Sequence, residues 1–235
     1  MTTSKILEQL KEFGSEQTKK VFIRHGAKEP FYGVKVKDLK TIQKKTGKNH
    51  ELALELFDTG NSDAMYLAAL VSEPEKMTKE QLQKWAEDAY WYMLSEYSVA
   101  WTAAESNYGW ELALEWIESK KEKIASTGWS TLSSLIAIKK DKEIDLVKIE
   151  ELLDFVSQNI HSSKNRIRYT MNGFVISVGS YILPLHNKAK EIAMQIGKVS
   201  VEMGGTSCKV PLATEYIEKA KSHFKVGIKR KTSFC

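Results

Sequence analysis

The amino-acid sequence predicts an all-α fold built from stacked helical hairpins, and three observations predict it. Apolar residues recur at helical spacing along most of the chain. A five-residue segment, ELALE at positions 51–55, returns at positions 111–115. The prolines all fall between the segments with helical spacing, where helices should break. They are Pro30, Pro74, Pro184 and Pro211.

The repeated segment has the same surroundings in both copies. Each copy continues into two large apolar residues, a polar or charged break and another stretch with helical spacing, at 64–70 and 124–135. Self-similarity of this kind is typical of stacked helical arrays, in which one helix pair cannot bury its apolar stripe alone. The 60-residue offset is longer than one pair, so we expect it to span more than one. A chance match of five common residues is the alternative.

The individual helices follow from spacing, caps and breakers. We expect Ser4 to cap the first helix, Gly26 to end the second and Gly47 to end the third. Short connections favour antiparallel neighbours, and we treat 1–235 as one domain. Further helices are predicted at 50–58, 62–72, 78–93, 95–105, 108–119, 121–138, 145–160, 164–179, 185–197 and 212–223.

One segment departs from the helical pattern. Between 198 and 210, apolar and polar residues alternate on either side of Gly204-Gly205. Alternation around a two-residue glycine turn predicts a small β-hairpin. A glycine-rich loop lying over a helix is the alternative.

Charge is distributed unevenly along the chain. The net charge is +7 over residues 1–50, −9 over 51–125, −2 over 126–160 and +9 over 161–235. Asymmetry of this kind concerns partners and not fold. It indicates two basic ends that attract a polyanion, with solvated helix faces as the alternative.

The sequence does not indicate a disulfide-linked, metal-binding, membrane-spanning or secreted protein. The two cysteines give neither a disulfide framework nor metal-ligand spacing, and we expect no metal and no cofactor. No stretch approaches the roughly 20 apolar residues of a membrane span. No apolar run follows the first residues, so we expect no signal peptide and a cytoplasmic location. We also expect a monomer.

Two clusters and the tail are candidates for chemistry or binding. Trp101 and Glu105 are four apart and share a helical face, where a partly desolvated carboxylate could act as acid, base or charge stabiliser. The alternative is a tryptophan that fills the core beside a solvated glutamate. Arg168 and Asn172 also share a face, close to Arg166, and suit phosphate and groove contacts, unless this is a solvated helix start. The tail residues Lys229, Arg230 and Lys231 can bind phosphates or remain solvated.

The same residues resemble a known family. Residues 33–42, GVKVKDLKTI, are similar to a glycine-valine-arginine-x-proline-x-leucine-arginine segment of the bacterial DNA alkylation repair proteins built from HEAT-like repeats. The stretches 99–106, 166–174, 208–211 and 229–232 resemble one branch of that family, and the resemblance covers almost the whole chain. It implies a HEAT-like α-α superhelix whose concave, positively charged face holds duplex DNA.

The resemblance also bears on activity. The glycosylase members carry a tryptophan followed four residues later by an aspartate, which correspond here to Trp101 and Glu105. A second tryptophan and its arginine have no match at 172–177, where Phe174 is the one aromatic residue, and a further arginine has none at 126–130. Glutamate is one methylene longer than aspartate, and a misplacement of about 1 Å can cost about a hundredfold in rate.

We therefore expect a DNA-binding HEAT-like protein with little base-excision activity. It should contact the phosphates of duplex, distorted or branched DNA, with the 198–210 hairpin as a shape probe. Two alternatives stay open: an alkylpurine DNA glycosylase that uses Glu105 beside Trp101 on alkylated DNA, and a scaffold that binds a protein. The central expectation is that cations from both ends of the chain converge on one concave face. The expected phosphate contacts are Lys35, Lys37, Arg166, Arg168 and the basic tail.

Overall fold

The computed structural model describes residues 1–206, 208–223 and 226–234, and within them the chain is helical and contains no β-strand. Its α-helices are α1 (Thr3–Phe13), α2 (Glu16–Arg24), α3 (Val36–Thr46), α4 (His50–Asp58), α5 (Ser62–Val71), α6 (Lys79–Asp88), α7 (Ala100–Glu105), α8 (Gly109–Ile117), α9 (Glu122–Ile138), α10 (Leu146–Asn159), α11 (Asn165–Tyr181), α12 (His186–Ile196) and α13 (Ala213–His223). A π-helical segment, Met93–Val99, runs directly into α7.

The helices form antiparallel pairs that stack along the chain. Within the pairs, α4 packs on α5, α8 on α9 and α12 on α13. The second helices of successive pairs also pack side by side, and we call them the inner layer. The predicted array of stacked hairpins is therefore confirmed. In order, the inner layer consists of α3, α5, the π segment with α7, α9, α11 and α13.

The repeated ELALE segments occupy equivalent places. The first copy lies in α4 and the second in α8, and each of these helices is the first of its pair. Leu52 and Ala53 are buried in one copy, and Leu112 and Ala113 in the other. One further pair, α6 with the π segment and α7, separates them, so the 60-residue offset spans more than one pair as predicted.

The hydrophobic core consists of two clusters that meet at α7–α9. The N-terminal cluster runs from Ile6 to Ile124 and the C-terminal cluster from Ala104 to Ile217. Aromatic rings fill both: Phe57 stacks on Trp85 at 4.1 Å between centroids, in α4 and α6 respectively. This contact shows a tryptophan filling space between stacked helices, as in the alternative stated above for Trp101. Of the described helices, none combines the length and the apolar character needed to cross a bilayer.

Two local predictions were wrong. The cap of α1 is Thr2, whose side chain accepts a hydrogen bond from the Lys5 N–H, and not Ser4. Helix α6 ends at Asp88 instead of continuing to 93. Tertiary contacts hold the break: the Trp91 indole N–H donates to the Ser62 hydroxyl at 2.8 Å, which draws the chain out of the helical path.

The β-hairpin predicted at 198–210 is not formed by the described residues 198–206 and 208–210. The chain does turn at Gly204 and Gly205, both with positive φ. The backbone groups of Glu202, however, bond to a side chain and not across a ladder. The Glu202 N–H donates to Asn165 Oδ1 at 2.7 Å, and Asn165 Nδ2 donates to the Glu202 carbonyl at 2.9 Å. A loop anchored on α11 therefore replaces the hairpin.

Candidate functional site

A groove of about 840 Å³ lies along the inner layer between the π segment and α13. Its floor is made of small side chains that face it from α9 and α11 at intervals of three and four residues. Because these side chains are short, neighbouring helices leave open space above them. The small residues are Ser130, Ser133, Ser134 and Ala137 on α9, and Thr170, Gly173, Ser177 and Ser180 on α11.

Aromatic rings and a few charges complete the lining of the groove. Glu96 is the one acidic residue among the described lining residues. The cations all come from α13 or from residues 228–230, so they stand on one wall and not on the floor. The groove therefore differs from the expected basic concave face, because no cation comes from α9 or α11. Its aromatic residues are Tyr97, Trp101, Tyr169, Tyr181 and Tyr216, and its cations are Lys219, Lys229 and Arg230.

The C-terminal segment 227–234, called the tail from here on, crosses the inner layer at the C-terminal ends of α9 and α7. The Arg230 N–H donates to the Ala137 carbonyl at 2.7 Å, and the Gly227 N–H donates to the Ser180 carbonyl at 3.1 Å. Farther on, the Phe234 ring reaches Lys48, whose Nζ lies 5.0 Å from the ring centroid. The tail is thus fixed to the array from α11 to the loop after α3.

The Trp101–Glu105 pair lies under this tail. Glu105 Oε1 accepts from the Ser233 N–H at 2.6 Å and from the Thr232 hydroxyl at 2.5 Å. The Ser233 hydroxyl is 2.9 Å from the same oxygen and 3.1 Å from the Trp101 carbonyl, so it donates to one of them. The Glu105 carboxylate is therefore engaged by the chain itself.

Trp101 is enclosed as well as covered. Its indole is 8% exposed and meets the rings of Tyr66, Tyr97 and Phe234 edge-on, at centroid distances of 6.1, 5.4 and 5.8 Å. Edge-to-face contacts of this kind are a favourable packing arrangement. Trp101 thus reaches the groove as part of a packed aromatic cluster.

Arg166 is held in a buried ion pair. Its Nε donates to Glu96 Oε1 at 2.8 Å and its Nη2 to Glu96 Oε2, which makes a bidentate pair. The guanidinium also lies over the rings of Tyr92 and Tyr169, at 4.3 and 4.4 Å from their centroids. Glu96 is 4% exposed, and burial raises the pKa of its carboxyl while the hydrogen bonds from Arg166 act against that rise.

The remaining predicted residues of α11 are not at the surface either. Asn172 is fully buried, and its Nδ2 donates to the Pro211 carbonyl at 2.8 Å, which fixes the segment before α13. Arg168 is half-buried. The predicted pair of Arg168 and Asn172 therefore does not form an open phosphate site, because Asn172 packs inside the array.

The predicted lysines and arginine of the two basic ends differ in accessibility. Lys229 is largely buried, with Nζ 2.8 Å from Asp141 Oδ1 and 3.0 Å from the Ile136 carbonyl. Arg230 and Lys231 are exposed on the tail, although Arg230 Nη2 also reaches the Phe234 carbonyl at 3.3 Å. At the other end, Lys35 and Lys37 are exposed. Four of the predicted basic side chains are therefore accessible: Lys35, Lys37, Arg230 and Lys231.

Asp63 fixes the segment that carries Lys35 and Lys37. Its carboxylate, at the start of α5, accepts from three successive N–H groups, those of residues 32, 33 and 34, at 2.6, 3.0 and 3.0 Å. Gly33 has φ +78, and a Cβ there would stand 2.7 Å from the Lys19 backbone nitrogen. The glycine of the motif is therefore required by close approach of α2, and the carboxylate sets the direction in which α3 begins.

Across residues 1–206, 208–223 and 226–234, His, Cys, Asp and Glu form no group of three or more that could hold a metal ion.

The comparisons with known proteins agree with this architecture. A model of the family described as DNA alkylation repair enzyme matches residues 6–189. The chain belongs to this family. A solved structure at 39% identity matches with a TM-score of 0.90 and covers 98% of both chains, and it comes from a family described as new, related to the HEAT-like repeat DNA glycosylases and with affinity for branched DNA structures. The predicted HEAT-like fold is confirmed.

Curated relatives extend the likeness over the full chain. An uncharacterized protein of Listeria innocua is 39% identical over 228 residues, which cover 94% of this chain and 98% of that protein. Another from Listeria monocytogenes is 38% identical over 231 residues, covering 96% of this chain and all of the relative. The family match ends at residue 189, whereas the matches to these relatives cover 94% and 96% of the chain and extend beyond that residue.

Proposed function

We propose that the chain binds DNA, preferring distorted or branched duplexes that it recognises by shape, and that it has little base-excision activity. The observation that carries the proposal is the likeness over 98% of both chains to a protein of a family with affinity for branched DNA structures. At 39% identity the inner layer has a counterpart in that protein, and so do the two segments that border it, the 198–210 loop and the tail. A shared binding mode is therefore the simplest expectation.

Electrostatics supports a nucleic-acid partner. Phosphate contacts dominate the affinity of proteins for DNA and come mainly from lysine and arginine. Lys35 and Lys37 are exposed at the start of α3, and Arg230 and Lys231 on the tail. Lys35 and Lys37 belong to α3, whereas the tail crosses the C-terminal ends of α9 and α7, so a ligand that contacts both sets of cations must lie across the inner layer.

The loop at 198–210 is proposed as the element that senses DNA shape. It is anchored on α11 through Asn165, and Cys208 Sγ lies 3.9 Å from His25 Nε2 on the chain after α2. The loop thus connects the two ends of the stack along one edge. Gly204, Gly205 and Lys209 are exposed, which leaves the loop open to a ligand.

Weak excision follows from the contacts of Glu105. Cleavage of an N-alkylated base develops positive charge on the sugar, and a carboxylate stabilises that charge only when it is placed beside it. Here the tail donates hydrogen bonds to the carboxylate and the Phe234 ring packs on Trp101. Both residues at the family's catalytic positions are therefore occupied by contacts within the chain.

A binding panel with an excision assay tests the proposal. Linear, alkylated and branched duplexes of equal length are titrated with the protein in mobility-shift experiments, and release of methylated purines is followed in the same samples. We expect branched DNA to bind tighter than linear DNA, and purine release at the spontaneous rate. Equal affinity for all three duplexes contradicts shape recognition. Fast release that Glu105→Gln abolishes establishes the glycosylase instead, and failure to bind any DNA favours the protein scaffold.

A further inference from the structure

We infer that the floor of the groove is a binding site for unpaired nucleobases, with the neighbouring wall taking their phosphates. This inference rests on the proposed DNA binding and names the part of the DNA that the groove accepts. It starts from a mismatch between the groove and a paired duplex. A duplex presents phosphates at its surface and keeps the faces of its bases stacked inside, whereas the floor of this groove carries no cation among its described residues.

The lining has the composition of a base-binding surface. Aromatic side chains supply platforms on which bases of any sequence stack, and hydroxyl groups can bond with base edges. Tyr169 and Tyr97 line one end of the groove and Tyr181 and Tyr216 the other, with serine hydroxyls between them. A volume of about 840 Å³ falls in the range of sites that take small organic ligands.

Tyr216 is the most accessible of these rings. It is 47% exposed on α13 although it lines the groove. Lys219 Nζ lies over the ring, 4.9 Å from its centroid, so the ring already contacts a cation, and a base that stacks on that face takes the place of the lysine. Arg230 stands on the same wall, so a base stacked on Tyr216 would carry its phosphate towards a guanidinium.

A larger side chain at Gly173 can fill the groove without disturbing the fold. It lies within α11 and lines the groove, and a Cβ added there would meet nothing within 4 Å. Its φ is not in the left-handed region, so a larger residue adopts the same backbone and favours the helix. Gly173→Leu therefore fills the groove, and Tyr216→Ala removes the exposed ring.

Two control variants, one that adds a leucine and one that removes a tyrosine, change positions outside the groove. Gln158→Leu adds a leucine to an exposed position of α10, and Tyr108→Ala removes a tyrosine that is 36% exposed at the start of α8. Neither residue lines the groove.

The experiment compares two branched DNAs that differ in unpaired bases. One is a fully paired three-way junction, and the other carries two unpaired nucleotides at the branch point, one of them 2-aminopurine. Affinity is measured by fluorescence anisotropy, and stacking by quenching of the 2-aminopurine. We expect the junction with unpaired nucleotides to bind about tenfold tighter, the effect of about one stacked base, with strong quenching. Gly173→Leu and Tyr216→Ala should remove both the preference and the quenching, whereas the controls should keep them.

The outcomes separate this inference from the proposed function. Equal affinity for the two junctions, with both bound, overturns the base site and leaves branched-DNA binding in place. A preference that survives Gly173→Leu together with unchanged quenching places the bases outside the groove and also overturns the inference. Binding of neither junction removes the proposed function itself.

Discussion

The backbone N–H of Ser233 donates a 2.6 Å hydrogen bond to the carboxylate of Glu105, 128 positions earlier in the chain. Ser233 is 1% exposed, so this donor has no access to water as a replacement partner. The bond joins the tail to the residue that, by resemblance, corresponds to the aspartate of the glycosylase members.

Replacement of Glu105 should therefore affect stability in a graded way. Glu105→Gln keeps a carbonyl oxygen that can accept from Ser233, whereas Glu105→Ala leaves that buried N–H unpaired. We expect the alanine variant to lose about 1–3 kcal/mol of unfolding free energy and the glutamine variant clearly less. Chemical denaturation of the three proteins measures the difference. Equal stability of all three would contradict a structural role for the carboxylate.

The ion pair between Arg166 and Glu96 gives a second prediction. Arg166→Met removes the partner of a carboxylate that is 4% exposed, and breaking such a pair costs about 3–5 kcal/mol. The double variant Arg166→Met with Glu96→Leu should recover much of that loss, because no buried charge remains. A loss of DNA affinity by Arg166→Met at unchanged stability would show instead that Arg166 acts as a phosphate ligand.

Gly33 should tolerate no side chain. Gly33→Ala combines a left-handed φ with a Cβ 2.7 Å from the Lys19 backbone, so we expect a loss above the roughly 1–2 kcal/mol of the conformational cost alone. Gly60→Ala is the control, since its φ is +66 but nothing lies within 4 Å of the added atom. Thermal unfolding of both variants measures the costs. Similar losses at the two positions would show that contact with α2 does not constrain the segment before α3.

Three tyrosines beside Arg166 or the groove should ionise at a higher pH than an exposed tyrosine. Burial raises the pKa of Tyr92 to about 12 and also raises the pKa values of Tyr97 and Tyr169. The folded chain therefore holds these phenolic protons above pH 10, where the unfolded chain has begun to release them. Stability linked to these groups is present below pH 10 and declines as the pH rises beyond it.

An absorbance titration tests that order of ionisation. The folded protein should show a second, delayed phenolate step that disappears in denaturant, and Tyr97→Phe should reduce its amplitude. A single step near pH 10 for all of the tyrosines in the folded protein would contradict their burial.

The architecture could be predicted from the sequence because the signals that specify a helix lie close together along the chain. The spacing of apolar residues, the positions of proline and the repeat at 51–55 and 111–115 each depend on neighbours within a few turns. The array of pairs and most helix bounds follow from them. The break after Asp88 was missed because it depends on a hydrogen bond from Trp91, in the break itself, to Ser62 at the start of α5.

The candidate site was less predictable for the same reason. Asn172 looked like a surface residue beside two arginines, yet it bonds to the Pro211 carbonyl 39 positions away. The contacts of the tail with Glu105 also join residues far apart in the sequence, so no local sequence pattern indicates them. The groove did leave a trace, in small residues spaced by three and four along α9 and α11, but that spacing gains meaning only when the two helices are known to be adjacent.

The central claim, that cations from both ends of the chain hold the phosphates of branched DNA, is tested most directly by the salt dependence of binding. Anisotropy titrations of a branched duplex across ionic strengths should give a slope of log affinity against log salt of about −4 if the four accessible cations each neutralise one phosphate. Replacing Lys35 and Lys37 together by alanine should reduce the slope by about 2, whereas Lys148→Ala on α10 should not change it. Affinity that stays constant from low to physiological salt would contradict the account.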